Sequence, residues 1–355
     1  MSEGEGAPAD ETPGPSRPPL VPVSGPDRTA LALEVACDES GFSGGNLVGT
    51  GNSRVFAHAS ISIGAETAAE LVGQVHHAIG AKGGEYKSAE LMRPRHRAVL
   101  RSLLSPMGPL SAASHVHLID TRFFVLARSI DVLVGGVPVM GPDRPGTDQR
   151  LRGMALTLYR SGEQAYGSEL WQEFLTGAAN LVRTNNRWLP KNPIELFYAT
   201  LDEMARRRAD RDVAAIIARL RVSRSVAETT RTAHLNDRTL SPLMEPLIPA
   251  VLRTVEFWAT RAASVALIHD EQSALTPARI AEIAAAFAAH HPGRRLIGLR
   301  RVDSRHDARI QVADFLAGIA RRLVYDQLRG CPDAELMSML LPLVDPSSTW
   351  PEPIR

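Results

Sequence analysis

Residues Leu31 to Gly41 read Leu-Ala-Leu-Glu-Val-Ala-Cys-Asp-Glu-Ser-Gly, a short apolar run that ends in two carboxylates and then a turn. A strand of this kind buries its body in a sheet and presents its C-terminal end, here Asp38 and Glu39, at the sheet edge where α/β proteins build sites. Side chains alternate along extended backbone, so Glu39 is expected to face away from Asp38 and to act at most in its support. Asp38 is therefore the candidate first ligand of a divalent-metal site. Its purely structural alternative is an Asx-type turn into Ser40-Gly41, and Cys37 is most simply a buried strand residue.

The rest of the chain alternates strand and helix signals, which predicts an α/β fold. Val55 to Ile63 reads as a second strand in a hairpin with the first, and Ala65 to Ile79 as a helix stopped by Gly80, Gly83 and Gly84. Glu85-Tyr86-Lys87 follows, then a short helix over Arg95 to Leu104 and a strand over Ser114 to Ile119 that ends in Asp120. From Thr121 to about Arg261 the periodicity is helical, broken at 135–146 and 184–193, which predicts a helical insertion. Strands return at Ser264 to His269, ending in Asp270, and at Leu296 to Val302, with a helix over Thr276 to His290 between them. The last long helix is expected to start at Ser304 as N-cap, with Asp307 three residues on, and to run to about Gln327.

Around this body, residues 1–28 hold seven Pro and four Gly with no apolar stretch, which predicts a disordered tail. The expected main domain is 29–328, followed by a C-terminal extension, 329–355, whose Trp350 is expected to clamp onto the body. Apolar runs such as Ala262 to Ile268 are far shorter than the roughly 20 residues a membrane span needs, so no membrane partner is expected. Two cysteines, Cys37 and Cys331, exclude a disulfide framework and point to a reducing compartment, the cytoplasm. The formal net charge of +1 excludes a strongly basic surface. Among the basic residues only Lys82, Lys87 and Lys191 are Lys, and the Arg clusters at 93–101, 206–224 and 294–309 are read as solvated helix faces before phosphate-facing patches.

Three strands thus end in acids, Asp38, Asp120 and Asp270, and the nearly all-apolar last helix carries Asp314. Asp307, Gln311, Asp314 and Gly318 form one stripe on that helix. An ionised Asp in such a setting costs several kcal/mol unless it is paired or ligates a metal. Two carboxylates at about 4 Å repel by about 4 kcal/mol at an effective dielectric near 20, and a divalent cation relieves this. An all-oxygen set without a Cys or His cluster suits Mg²⁺ or Mn²⁺. For Asp120, Asp270 and Glu85 the alternative is a capping or solvating role, and for Asp314 a buried pair with Arg. Lys87 could hold a phosphate or pair with Glu90. His76, His77, His115 and His117 are read as packing or surface residues, and His269 and His306 are not assigned to the site.

Asp38-Glu39-Ser40-Gly41 after a first strand, Glu85-Tyr86-Lys87 after the first helix, Asp120 ending a middle strand and Gln311-x-x-Asp314 on the last helix together resemble the bacterial domain of unknown function 3800 family, over roughly residues 31–328. That family looks related to the ribonuclease-H-like superfamily. The resemblance implies a mixed sheet of about five strands with helices on both faces; the large helical insertion from Thr121 to about Arg261 departs from a minimal domain of that kind. It also implies a metal site at Asp38, Asp120 or Asp270, and Asp314, with Glu85 as ligand or general base and Lys87 on a phosphate oxygen. The activity it implies is metal-dependent cleavage of nucleic-acid phosphodiesters. The alternatives are a non-catalytic module that binds nucleic acid or protein, and a metal-dependent phosphohydrolase of small molecules.

Overall fold

The computed structural model describes residues 21–22, 32–42, 47–49, 52–80, 88–136, 148–181, 183, 190–237, 240, 242–352 and 354. Its centre is β2 (Leu33–Ser40), the strand formed by the apolar run. Antiparallel to it lies β3 (Val55–Ile61), and antiparallel to β3 lies β4 (Ser114–Asp120). On the other side β5 (Ser264–His269) and then β6 (Arg295–Arg301) run parallel to β2. The sheet is mixed and its long strands follow the order β6-β5-β2-β3-β4. A two-residue strand, β1 (Val21–Pro22), pairs with Leu299 and Gly298 at the β6 edge. The stretch read as a disordered tail therefore contributes a strand, since two extended residues suffice to occupy an edge ladder.

Alternation of side chains divides the interior into two cores, one on each face of the sheet. Ala36, Ala57, Ala59, Val116, Leu118 and Ile268 face one of them. They pack against α1 (Ala65–Ile79), the one-turn α2 (Ser88–Leu91), α3 (Arg97–Leu104), the long α12 (Ala308–Leu328) and α13 (Ala334–Leu340). Val35, Cys37, Phe56, Ile119, Val265, Leu267 and Leu299 face the other. That side is covered by the insertion, which consists of α4 (Thr121–Leu133), α5 (Gln149–Tyr166), α6 (Ser168–Leu181), α7 (Pro193–Arg206), α8 (Arg211–Arg221), α9 (Arg224–Asn236) and α10 (Leu247–Ala259), and by α11 (Pro277–His290). Trp258 on α10 is buried and its indole N–H donates to Ser60 Oγ at 2.9 Å, so its polar edge is satisfied.

Helix boundaries follow capping chemistry. Asp120 opens α4, Asp148 opens α5 and Thr276 opens α11, each accepting backbone N–H groups of the first turn. The expected start of the last helix at Ser304 is corrected: Asp303 caps a single 3₁₀ turn, Ser304–His306, and Asp307 then caps α12 through the N–H of Arg309. Two successive Asx caps displace the capping box. Within the C-terminal extension, Val344 and Thr349 form parallel bridges to Val116 and Ile119 of β4, and Trp350 is buried against the α12 side as expected. No helix among the described residues is long and apolar enough to cross a membrane.

Candidate functional site

Parallel pairing of β2 with β5 sets Cys37 opposite His269, so Asp38, still paired to Ala59 within β2, and Asp270, one residue past β5, lie side by side towards the C-terminal ends of the two strands. The Asp270 N–H donates to Cys37 O at 3.3 Å, and Asp270 Oδ1 accepts the Ser304 N–H at 3.1 Å. Asp38 is 7% exposed and shares the face of Ala36, against which α12 packs. Asp314 comes from that helix. Burial, then the negative charges of Glu39, Asp314 and Asp270, push the Asp38 carboxyl well above the carboxylate range, against one favourable hydrogen bond from the Glu39 N–H at 2.7 Å. Asp270 and Asp314, brought from a strand end and a helix far apart in sequence, thus both lie within electrostatic reach of Asp38 and Glu39.

Glu39 turns to the insertion face, as alternation requires, but it is more than a bystander. Burial and then the charges of Glu245 and Asp270 push it up to about 8. Its Oε2 is buried without a hydrogen-bond partner and lies 3.6 Å from His269 Nε2. Burial brings His269 down to about 4, so at neutral pH this is a close approach of two uncharged groups and not an ion pair. Behind it His269 Nε2 meets His58 Nε2 at 3.2 Å, and His58 Nδ1 meets Thr254 Oγ1 at 3.0 Å. Glu245, just before α10, is pushed up to about 7 by burial, offset in part by the Leu247 N–H and by Arg279 and Arg183. Nothing in the sequence around Ser241-Pro242-Leu243-Met244-Glu245 marks that position.

Asp120 does not join this group, which corrects its candidacy. It stands on β4, two strands from β2, hence roughly 10 Å across the sheet. Its carboxylate is already engaged by the Phe123 N–H at 2.9 Å, Arg54 Nε at 3.1 Å and Tyr159 OH at 2.6 Å. It is a buried cap and ion-pair acceptor. Of the two acids left open by the sequence, Asp270 reaches the cluster. Glu85 and Lys87 lie outside the described residues.

The arginine clusters behave as ion-paired faces. Arg93 and Arg95 hold Glu90, Arg97 holds Asp333 and Glu335, Arg206 and Arg207 hold Glu203, and Arg224 holds Glu228 and Glu195. Arg300 and Arg309 meet on Glu34. His115 and His117 pack as buried residues around Asp345, at 3.1 and 3.7 Å.

Among the described residues no group of three or more His, Cys, Asp or Glu side chains stands in metal-binding geometry. The donor set is all-oxygen, the kind that suits a hard divalent cation, and the charges of Asp314 and Asp270 raise the Asp38 carboxyl. No family model matches the chain. No curated protein and no solved structure matches it either.

Proposed function

We propose that the chain is a Mg²⁺- or Mn²⁺-dependent nuclease of the ribonuclease-H-like kind, in the manner of the domain of unknown function 3800 family. The observation that carries this reading is the convergence of Asp38, Asp270 and Asp314 at the C-terminal edge of two adjacent parallel strands, with each added negative charge raising the Asp38 carboxyl. Such a cluster is unfavourable without a cation and becomes favourable with one. The mixed sheet with helices on both faces supports the same reading, while the long helical insertion before β5 departs from a minimal ribonuclease-H-like domain.

Asp38, Asp270 and Asp314 would hold the ion. When bound, a divalent ion at such a cluster supplies charge stabilisation at a scissile phosphate and lowers the pKa of water. The protein's own part is to hold the carboxylates on rigid elements, β2, β5 and α12, and to keep Asp270 oriented through the Ser304 N–H. In the ion-free protein, burial and the charges of Glu245 and Asp270 hold Glu39 up to about 8, so it carries a proton at neutral pH.

The test is cleavage of single-stranded, duplex and hybrid nucleic acids with Mn²⁺ and with chelator. Mn²⁺-dependent cleavage lost in Asp38→Ala and Asp314→Ala is the expected result. Activity surviving both substitutions, or turnover of nucleotides without turnover of polymer, would sink the assignment.

A further inference from the structure

Two residues past Asp38 on the same face of β2, Ser40 Oγ accepts a hydrogen bond from Arg321 Nε at 3.0 Å. Arg321 is seven residues from Asp314 on α12, so the two share one stripe of the helix, about 10 Å apart along its axis. The strand turns away at Gly41 with φ +109°, where a Cβ would lie 2.3 Å from Val55 O and 2.8 Å from Arg321 Cδ. The left-handed backbone and the absent side chain at Gly41 are what let the arginine stem lie over the strand end. Ser40, Gly41 and α12 together hold the guanidinium beside the end of β2, within electrostatic reach of Asp314.

What the fold does not give it is a close ion pair; Asp314 attracts it from a distance. Arg300 and Arg309 are both engaged by Glu34, and Arg54 by Asp120. Among the described residues, the two Nη groups of Arg321 make no hydrogen bond and no ion pair within 4.0 Å. The side chain is half-buried and desolvated, and it remains charged at any physiological pH. A positioned, charged fork with one of its five donors engaged, partly withdrawn from water and with Asp314 acting on it only from beyond ion-pair distance, keeps its Nη groups open to an anion.

We propose that Arg321 is an anion-binding residue that takes a phosphate oxygen of the ligand held at the carboxylate cluster; the identity of that ligand as nucleic acid rests on the nuclease reading above. The planar fork matches two oxygens of one phosphate. Because the same anion would be repelled by Asp38, Asp270 and Asp314 in the absence of a cation, its binding at Arg321 and divalent-ion binding at the acids strengthen each other reciprocally.

The experiment is fluorescence anisotropy of a short fluorescein-labelled single-stranded DNA, titrated over a range of salt with Ca²⁺ and with chelator, so that binding is read without turnover. Wild type is expected to bind more tightly with Ca²⁺. Arg321→Gln is expected to weaken binding about tenfold or more and to lower the logarithmic salt slope by about 0.7. Arg321→Lys keeps the slope with intermediate affinity, and Ser40→Ala loses affinity a few-fold at unchanged slope. Should Arg321→Gln fail to fold by thermal melting, these two variants carry the test.

Wild-type affinity in every variant that folds, or no binding by the wild type, overturns the proposal. Mn²⁺-dependent cleavage is measured separately. Cleavage with unchanged binding by Arg321→Gln removes the Arg321 proposal alone, whereas Arg321-dependent binding without cleavage by the wild type removes the nuclease reading alone.

Discussion

The amide of Asp270 donates to the carbonyl of Cys37 across 3.3 Å, and this one ladder bond sets the acid that ends β5 beside the acid near the end of β2. Their proximity is fixed by backbone, so the repulsion cannot be relieved by a side chain swinging away at no cost. Asp38→Asn is therefore expected to raise the melting temperature of the metal-free protein by about 1–3 °C, since a neutral isostere removes a buried charge cost. The same substitution is expected to remove the upward shift in melting temperature that Mn²⁺ gives the wild type. A wild-type protein indifferent to Mn²⁺, or an Asp38→Asn variant that keeps the shift, counts against the metal centre.

Asp120 should behave in the opposite way. It caps α4 and accepts from Arg54 and Tyr159 in a fully buried position. Asp120→Ala is expected to cost about 2–4 kcal/mol by chemical denaturation, from the lost cap and from donors left without an acceptor. The Mn²⁺-induced shift should survive. Loss of that shift in a folded Asp120→Ala protein would return Asp120 to the site.

Glu39 and Glu245 have folded-state values raised to about 8 and about 7 from 4.5. A raised carboxyl favours folding below its unfolded pKa and loses that contribution as pH rises through the folded value. In chelator, stability is expected to decline between pH 4.5 and 8 on this account. His269, lowered from 6.5 to about 4, acts in the other direction, losing its contribution as pH falls through that window. On these three groups the two carboxyls outweigh the one imidazole, so the melting temperature of metal-free protein should be highest at about pH 4 and fall above it, with a flatter alkaline limb in Glu39→Gln. A limb of equal slope in that variant would show that Glu39 titrates normally.

Gly41→Ala is expected to be strongly destabilising, about 2–4 kcal/mol, because a Cβ would lie 2.3 Å from Val55 O on a backbone with φ +109°. Urea unfolding measures it. A cost below about 1 kcal/mol would mean that the strand end relaxes freely.

Legibility in the sequence followed the range of the interactions. Asp38 and Asp314, proposed here as ligands, were singled out by local patterns: an apolar strand that stops in an acid, and an acid on a helix apolar nearly all round. The same strand-end signal pointed equally to Asp120 and Asp270, since it says nothing about lateral position in the sheet. What separates them is strand order together with Arg54 and Tyr159, which reach Asp120 from distant parts of the chain. Glu245 sits in a loop with no periodicity to read. Arg321 was on the page in a weak sense, because the stripe of Asp307, Gln311, Asp314 and Gly318 continued one turn further lands on it. Its missing partner is a tertiary fact. The start of α12 was misread because Asp303 and Asp307 each cap a separate turn.

The two ends of the chain guard the two flanks of the sheet: Val21–Pro22 lies along β6, and residues 344 to 349 bridge to β4. A bare flank offers unpaired N–H and C=O groups to any other strand, including that of a second molecule. Trimming either terminus for convenience would thus do more than shorten the chain. It would expose the edge groups of β6 at Leu299 and Gly298, or of β4 at Val116 and Ile119, that these segments now pair.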